Sequence, residues 1–320
     1  MSKTITKKIR TIFMGTPAFA LPGLAALIAD KDFEIVGIFT QPDRPVGRKH
    51  KLTPPPVKEL ALANKLTILQ PEKIKTETET IKQLSPDLIV VIAYGQIIPQ
   101  AILDLPTHGG INVHASLLPL YRGAACLNAP ILNGDLETGI TIMKMEAGLD
   151  TGPIFRQAKI VLDKQETLSS LHDRLAQLGA ALLPSTLKDI VKGEIEPQSQ
   201  DNSLASYVPT LNKDDGHINW SNDAKAIERM ARAYNPWPGT YAILEKTSSS
   251  RTLKILEFSS LILKENSHRP GEIFRHNKGL AVQCGQDSLV ILKLQIAGGR
   301  PLKAEDFLSG NAGLIGTILD

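Results

Sequence analysis

After a basic N-terminus, IRTIFMG (Ile9–Gly15) reads as a short buried strand that ends in a glycine turn and passes into helical spacing through about Ile28. A second apolar run, FEIVGIFT at 33–40, reads as another strand. The stretch QPDRPVGRKHKLTPPP at 41–56 is polar and proline-rich, and reads as a loop before a helix near 57–64. LTILQ at 66–70 predicts a strand, 77–84 a helix, PDLIVVIAYG a continuous apolar strand ending at Gly95, and GGINVH the next strand. GITIMKM at 139–145 is strand-like, and helical periodicity from about 167 to 192 closes this half. Strands that alternate with helices and are apolar throughout predict a mostly parallel sheet covered on both faces, a doubly wound, Rossmann-like α/β domain.

The pattern then changes. GEIEPQSQDNSLASY at 193–207 is polar and lacks apolar periodicity, and it reads as a linker. A helix is expected over roughly 223–234. After it come short strand candidates, TYAILEK, LKILEFSSLIL, GEIFRH, GLAVQC and SLVILKLQIAG, separated by turn signals. That spacing predicts a small β-barrel. The expected organisation is a first domain at 1–192, a linker at 193–206 and a second domain at 207–320. Trp237, in NPWPG, reads as an anchor between the helix and the barrel.

Composition narrows the reading. A chain of 320 residues accommodates two domains. A net charge of +3 is too mild to imply nucleic acid by itself, so a polyanion must be met by a local patch. That patch exists: residues 41–56 carry Arg44, Arg48, Lys49 and Lys51 against Asp43 alone, a local excess of 4 − 1 = +3. Cys126 and Cys284 are far apart and read as reduced, buried thiols, and no histidine spacing points to a metal. The basic, apolar N-terminus is interrupted by Gly15, Pro17, Pro22 and Gly23, and no run approaches the ~18 apolar residues of a membrane span, so a cytoplasmic protein without membrane contact is expected. The first turn, GTPAFALPG, is not G-x-G-x-x-G, which argues against a nicotinamide enzyme.

Candidate chemistry gathers at GINVHASLLPLYRGAA (110–125). Asn112 and His114 are two apart on a strand, so their side chains leave one face, at the carboxyl end where open parallel sheets bind ligands. An amide that donates and an imidazole that accepts or donates suit a reaction that builds negative charge on oxygen while a proton leaves a nucleophile. Asp150, between Gly148 and Gly152 in MEAGLDTGPIF, is placed in a tight turn from which it orients His114 and favours its charged form.

GTPAFALP, TQPDRPVGR, VVIAYGQIIP, INVHASLLPLYRGAA, ETGITIMKMEAGLDTG and YNPWPGTY together resemble the methionyl-tRNA formyltransferase family, over nearly the whole chain. The resemblance implies formyl transfer from 10-formyltetrahydrofolate to the α-amino group of methionine on initiator tRNA. It implies that Asn112 donates to the oxyanion, His114 stabilises it and helps move protons, and Asp150 holds the imidazole. The amine is itself the nucleophile, so no formyl-enzyme and no metal are expected. Ser116, Leu117, Leu118 and Pro119, with Tyr94, Gly95 and Ile97, correspond to the folate-binding segments. Arg44, Arg48, Lys49 and Lys51 are expected on tRNA phosphates, with Arg48 at the family's most important position in that loop, and residues 207–320 on an OB-like barrel. Cys126 stands where the motif often continues with Pro. Two alternatives stay open: a folate-dependent formyltransferase for a small amine, and a tRNA-binding factor without catalysis. A monomer is expected.

Overall fold

The computed structural model describes residues 7–47, 50–244 and 251–320. In chain order the first elements are β1 (Ile9–Gly15), α1 (Leu21–Ala29), β2 (Phe33–Phe39), β3 (Arg44–Val46), β4 (Lys51–Thr53), α2 (Pro56–Ala63) and β5 (Ile68–Leu69). Next come α3 (Thr78–Leu84), β6 (Leu88–Ile92), α4 (Gln100–Leu103), β7 (Gly110–His114), β8 (Arg122–Gly123), α5 (Ala129–Asn133), β9 (Glu137–Lys144), β10 (Ile154–Val161) and α6 (Leu168–Lys192). The remainder is β11 (Tyr207–Val208), α7 (Ala224–Tyr234), β12 (Thr240–Leu244), β13 (Arg251–Leu263), β14 (Ile273–His276), β15 (Gly279–Gln283), β16 (Ser288–Ile296), β17 (Leu302–Lys303) and α8 (Ala304–Ser309).

A seven-stranded sheet runs β10-β9-β7-β6-β1-β2-β5. β1, β2, β5, β6 and β7 are parallel, whereas β9 is antiparallel to β7 and β10 to β9. Chain order reverses beside β1, since β2 and β5 lie on one side and β6 and β7 on the other. This reversal opens a crevice at the carboxyl ends of β1 and β6. Thr16 Oγ1 donates to the Tyr94 carbonyl at 2.8 Å and ties those two ends together. Central β6 is buried at every residue, as an apolar run covered on both faces must be. Edge strand β10 alternates half-buried and exposed positions, a weaker pattern that the sequence does not announce. In α6, Leu171, Leu175, Leu183, Leu187 and Ile190 form the buried stripe of an amphipathic helix. Thr167 and Ser170 cap its start by exchanging side-chain bonds to each other's backbone N–H groups.

The described residues form two compact units that do not follow chain order. Of these, the first draws on 7–126, Glu137–Val161 and His172–Val208, the second on Leu127–Leu136, Leu162–Leu171 and Pro209–Asp320. The 193–206 stretch, read as a linker, is bonded into the first unit: Gln198 bridges Ile154 through both backbone groups, and β11 extends β8. Most of the stretch is exposed, but the side chains of Gln200, Asn202 and Ser206 bond to the rest of the unit.

In the second unit α5 packs on α7, fastened by Asn128 Nδ2 on the Ala233 carbonyl (2.7 Å) and Arg229 Nε on the Leu132 carbonyl (3.0 Å). The antiparallel sheet runs β12-β13-β16-β15-β14, with β17 on β16. The last residues close it. Gly316 and Thr317 bond Ile273 on β14, Leu319 bonds the Gly271 carbonyl, and Asp320 exchanges two backbone bonds with Ile243 on β12. The C-terminal tail thus spans both free edges and makes a barrel around Trp220, Leu253, Ile255, Val282, Leu289 and Phe307. Trp237 is no anchor: it stands 53% exposed, and Trp220 occupies the core instead. Among the described residues, no helix is long and apolar enough to cross a membrane.

Candidate active site

β7 supplies two of the expected groups. Pairing with β6 and β9 fixes its backbone. His114 is buried at 6% exposure. Its Nε2 lies 3.0 Å from the Tyr121 carbonyl, so Nε2 carries the hydrogen, because that carbonyl has only lone pairs to offer. Nδ1 faces Asp150 Oδ1 at 3.6 Å. Asn112 is half-buried, and its side-chain amide makes no hydrogen bond among the described residues. A donor held on a rigid strand and left unpaired is prepared for an oxygen that arrives from outside the protein.

Asp150 reaches His114 through an unusual turn. Its φ is +52°, left-handed backbone that costs a non-glycine residue on the order of 1–3 kcal/mol and persists only where the surroundings over-determine it. Three contacts do so. Gly123 N–H donates to Asp150 Oδ2 at 2.8 Å. Gln200 Nε2 donates to the carbonyls of Asp150 (2.8 Å) and Gly152 (2.7 Å). At Gly152 a β-carbon would run into the Lys144 carbonyl, so the chain crosses itself there only without a side chain.

Behind Gln200 lies Arg122, 1% exposed, whose Nε and Nη2 reach Gln200 Oε1 at 3.1 and 2.8 Å. Its other bonds go to Asn202 Oδ1 (2.8 Å) and the Tyr207 hydroxyl (2.9 Å). The sequence reading singles out none of Arg122, Gln200, Asn202 and Tyr207. One signal is present: Arg122 is the single charged residue of 110–125 apart from histidine, in a stretch that otherwise reads as apolar loop.

The segments expected to bind folate divide by what they present. Ser116 is fully buried and its hydroxyl donates to the Leu120 carbonyl at 2.6 Å. Thr141 Oγ1 donates to the Ser116 carbonyl (2.7 Å) and accepts from Leu118 N–H (3.1 Å), while Gln157 Nε2 donates to the Leu118 carbonyl (2.9 Å). Ser116 and the buried Leu118 therefore shape the loop from inside, and half-buried Leu117 and Pro119 are its less covered residues. The Tyr94 ring is also buried, and its hydroxyl has no hydrogen-bond partner; burial pushes the phenol up to about 12. The Tyr94 carbonyl, rather than its ring, joins the neighbouring loop, accepting from Gln41 Nε2 at 3.3 Å. Gly95 is exposed at φ +89°, and Ile97 stands 95% exposed. A cavity of about 430 Å³ lies at the start of β7, beside Leu103, His108 and Lys144, and includes none of these residues.

The basic 41–56 stretch is a short ribbon rather than a plain loop: β3 and β4 pair through Arg44–Thr53, Pro45–Leu52 and Val46–Lys51. Arg44 and Lys51 are exposed on it, and Arg48 and Lys49 lie outside the described residues. Its root is bonded firmly. Lys58 Nζ contacts both Asp43 carboxylate oxygens at 2.8 and 2.9 Å, and Gln70 Nε2 donates to Asp43 Oδ1 and the Gln41 carbonyl, each at 2.8 Å. These bonds hold the Asp43 carboxyl below the usual carboxylate range, Lys58 having the largest effect. Cys126 and Cys284 are both buried and neither is in a disulfide among the described residues, and burial pushes the Cys284 thiol up to about 12. Among the described residues, no group of three His, Cys, Asp or Glu side chains is placed to hold a metal.

Comparison with known proteins agrees with this architecture. Residues 7–187 match the formyl transferase family and residues 210–312 its C-terminal domain. The methionyl-tRNA formyltransferase of Citrifermentans bemidjiense is 47% identical over 305 residues, 94% of this chain and 93% of the relative. Among solved structures, the N-formyltransferase from Helicobacter canadensis, in complex with folinic acid and dTDP-3-aminofucose, has a TM-score of 0.63 at 18% identity, over 88% of this chain and 98% of that one. HypX from Aquifex aeolicus has a TM-score of 0.63 at 13% identity over 96% of this chain, which spans about half of HypX. At these identities the two structures share the fold, whereas the close relative and both domain matches define the membership: the chain belongs to the formyl transferase family, among its methionyl-tRNA formyltransferases.

Proposed function

We propose that this protein transfers the formyl group of 10-formyltetrahydrofolate to the α-amino group of methionyl initiator tRNA, for translation initiation. The observation that carries the reading is the end of β7: an Asn112 amide with no hydrogen bond among the described residues, two positions before a buried His114 that faces Asp150. An α-ammonium group, with a reference pKa of about 7.7–8.0, gives up a proton with help from the His114–Asp150 pair. The free amine attacks the formyl carbon, a C–N bond forms, and the carbonyl oxygen becomes an oxyanion that receives the Asn112 N–H. Collapse of the tetrahedral intermediate breaks the bond to N10, which takes the second proton that the attacking nitrogen gives up on becoming an amide. The products are formyl-methionyl-tRNA and tetrahydrofolate. The nucleophile comes with the substrate, so no protein thiol or hydroxyl is consumed.

The pterin is assigned to the crevice between the 94–97 and 116–119 loops, where Leu117, Pro119 and Ile97 supply apolar surface and the backbone supplies hydrogen bonds. The tRNA is assigned to the ribbon carrying Arg44 and Lys51, with Arg48 and Lys49 from the same stretch, and to the barrel. There Lys254, Lys293 and Lys303 stand exposed on β13, β16 and β17 with no ion pair among the described residues. Incubation with 10-formyltetrahydrofolate and either charged initiator tRNA or free methionine tests the reading. Formylation confined to the charged tRNA supports it. Formylation of free small amines with the tRNA untouched would replace it with a small-amine formyltransferase.

A further inference from the structure

We propose that Gln200, locked by the buried Arg122 guanidinium, is a positioning residue that holds Asp150 in register with His114. This inference rests on the formyl-transfer reading of the site.

The amide of Gln200 is saturated. Its oxygen accepts two N–H groups from Arg122, and its nitrogen donates to the Asp150 and Gly152 carbonyls. Arg122 can only donate, so it sets which end of the amide faces it. The NH₂ end is thereby aimed at the turn. Arg122 also acts through its backbone: β8 pairs with β11, and the next residue, Gly123, donates to Asp150 Oδ2. Two arms from adjacent residues thus grip one left-handed residue, one by its main-chain oxygen and one by its carboxylate.

The choice of Arg for this task is informative. A fully buried cation is costly unless it is compensated, yet Arg122 has no carboxylate within ion-pair distance among the described residues. All its side-chain hydrogen-bond partners are neutral: Gln200, Asn202 and the Tyr207 hydroxyl, with the guanidinium 5.6 Å from the Tyr207 ring centroid. A carboxylate in place of Gln200 would compensate Arg122 better, but it would turn oxygen lone pairs toward the Asp150 and Gly152 carbonyls. A neutral amide satisfies both sides, at the expense of a stronger ion pair.

This contrast supplies the test. Gln200→Glu gives Arg122 an ion pair and removes both donors to the turn. The expected result is a preserved unfolding midpoint with kcat lowered on the order of a hundredfold, the effect of an ångström-scale misplacement, and KM for folate and tRNA within about twofold of wild type. In the Asp150→Ala background, Gln200→Ala should cost nothing further, because Gln200 acts through Asp150. This cycle also serves if Gln200→Glu fails to fold. Independently of turnover, the His114 ring NMR signals should move in Gln200→Glu in the same direction as in Asp150→Ala. Wild-type kcat in Gln200→Glu, additive losses in the cycle, or unmoved His114 signals would overturn the assignment. Loss of tRNA formylation in the wild type itself, with the NMR coupling intact, would count against the activity and not against the clamp.

Discussion

Two polar segments of the first unit, the 145–153 turn and the 44–53 ribbon, are built in opposite ways. The turn aims one carboxylate at one imidazole, and bonds from Gly123 and Gln200 hold even its strained residue. Among the described residues, the short side-chain bonds of the ribbon are at its root, through Asp43, Lys58 and Gln70, and its cations Arg44 and Lys51 are exposed. The ion pair of Arg44 with Glu72, at 3.8 Å and largely exposed, contributes about 0–1 kcal/mol and leaves the guanidinium available. Proton transfer demands sub-ångström placement, so the turn is over-determined. A phosphate backbone is met by charge with little geometric demand, so exposure matters more than rigidity.

The two segments should differ most at the catalytic end. His114→Ala should lower kcat by roughly 10²–10⁴, the usual worth of acid–base assistance, with tRNA affinity unchanged in a direct binding titration. Asn112→Ala should cost about 10²–10³ in kcat with little change in KM, as for one missing oxyanion donor; a KM effect without a kcat effect would move Asn112 from the oxyanion to ground-state binding. The ribbon should show the reverse split. Arg44→Ala and Lys51→Ala should each raise KM for tRNA at constant kcat, and the slope of log affinity against log salt should shrink by about 0.7–0.9 for each phosphate no longer neutralised. The root should give the smallest effect. Asp43 has its carboxyl pKa lowered in the folded protein, so its anchoring is complete above the ordinary value of about 3.9 and disappears only as pH falls through the lower folded value. Exchange of the Gln41 amide hydrogen, corrected for intrinsic rate, should be constant from about pH 7 to 5 and rise only below about 4.

Much of the fold is legible in the chain because its cause is local. β1, β2, β6, β7 and α6 follow from apolar runs or helical stripes a few residues long, and the barrel strands from short runs between turns. Asn112 and His114 pair on sequence grounds because a strand's period of two puts them on one face. β10 escapes such a reading because an edge strand has one wet face. The 193–206 stretch reads as a linker because residues that bond to a protein and residues that bond to water are the same types. Motif places Ser116, Leu118 and Tyr94 near a ligand, yet their side chains are turned inward by Thr141, Gln157 and the surrounding core.

What the amino-acid order alone decided, then, is most of the apolar strands and amphipathic helices and the placing of Asn112 and His114 on one face of β7, since each depends on neighbours within a few positions. Tertiary structure decided which distant groups complete that chemistry. Gln200 reaches Asp150 across 50 residues and Arg122 across 78, and the final five residues close a barrel whose edges begin at 240 and 273. Such pairings leave no periodic trace, because a hydrogen-bonding group records only that it needs a partner, and folding alone brings one within reach.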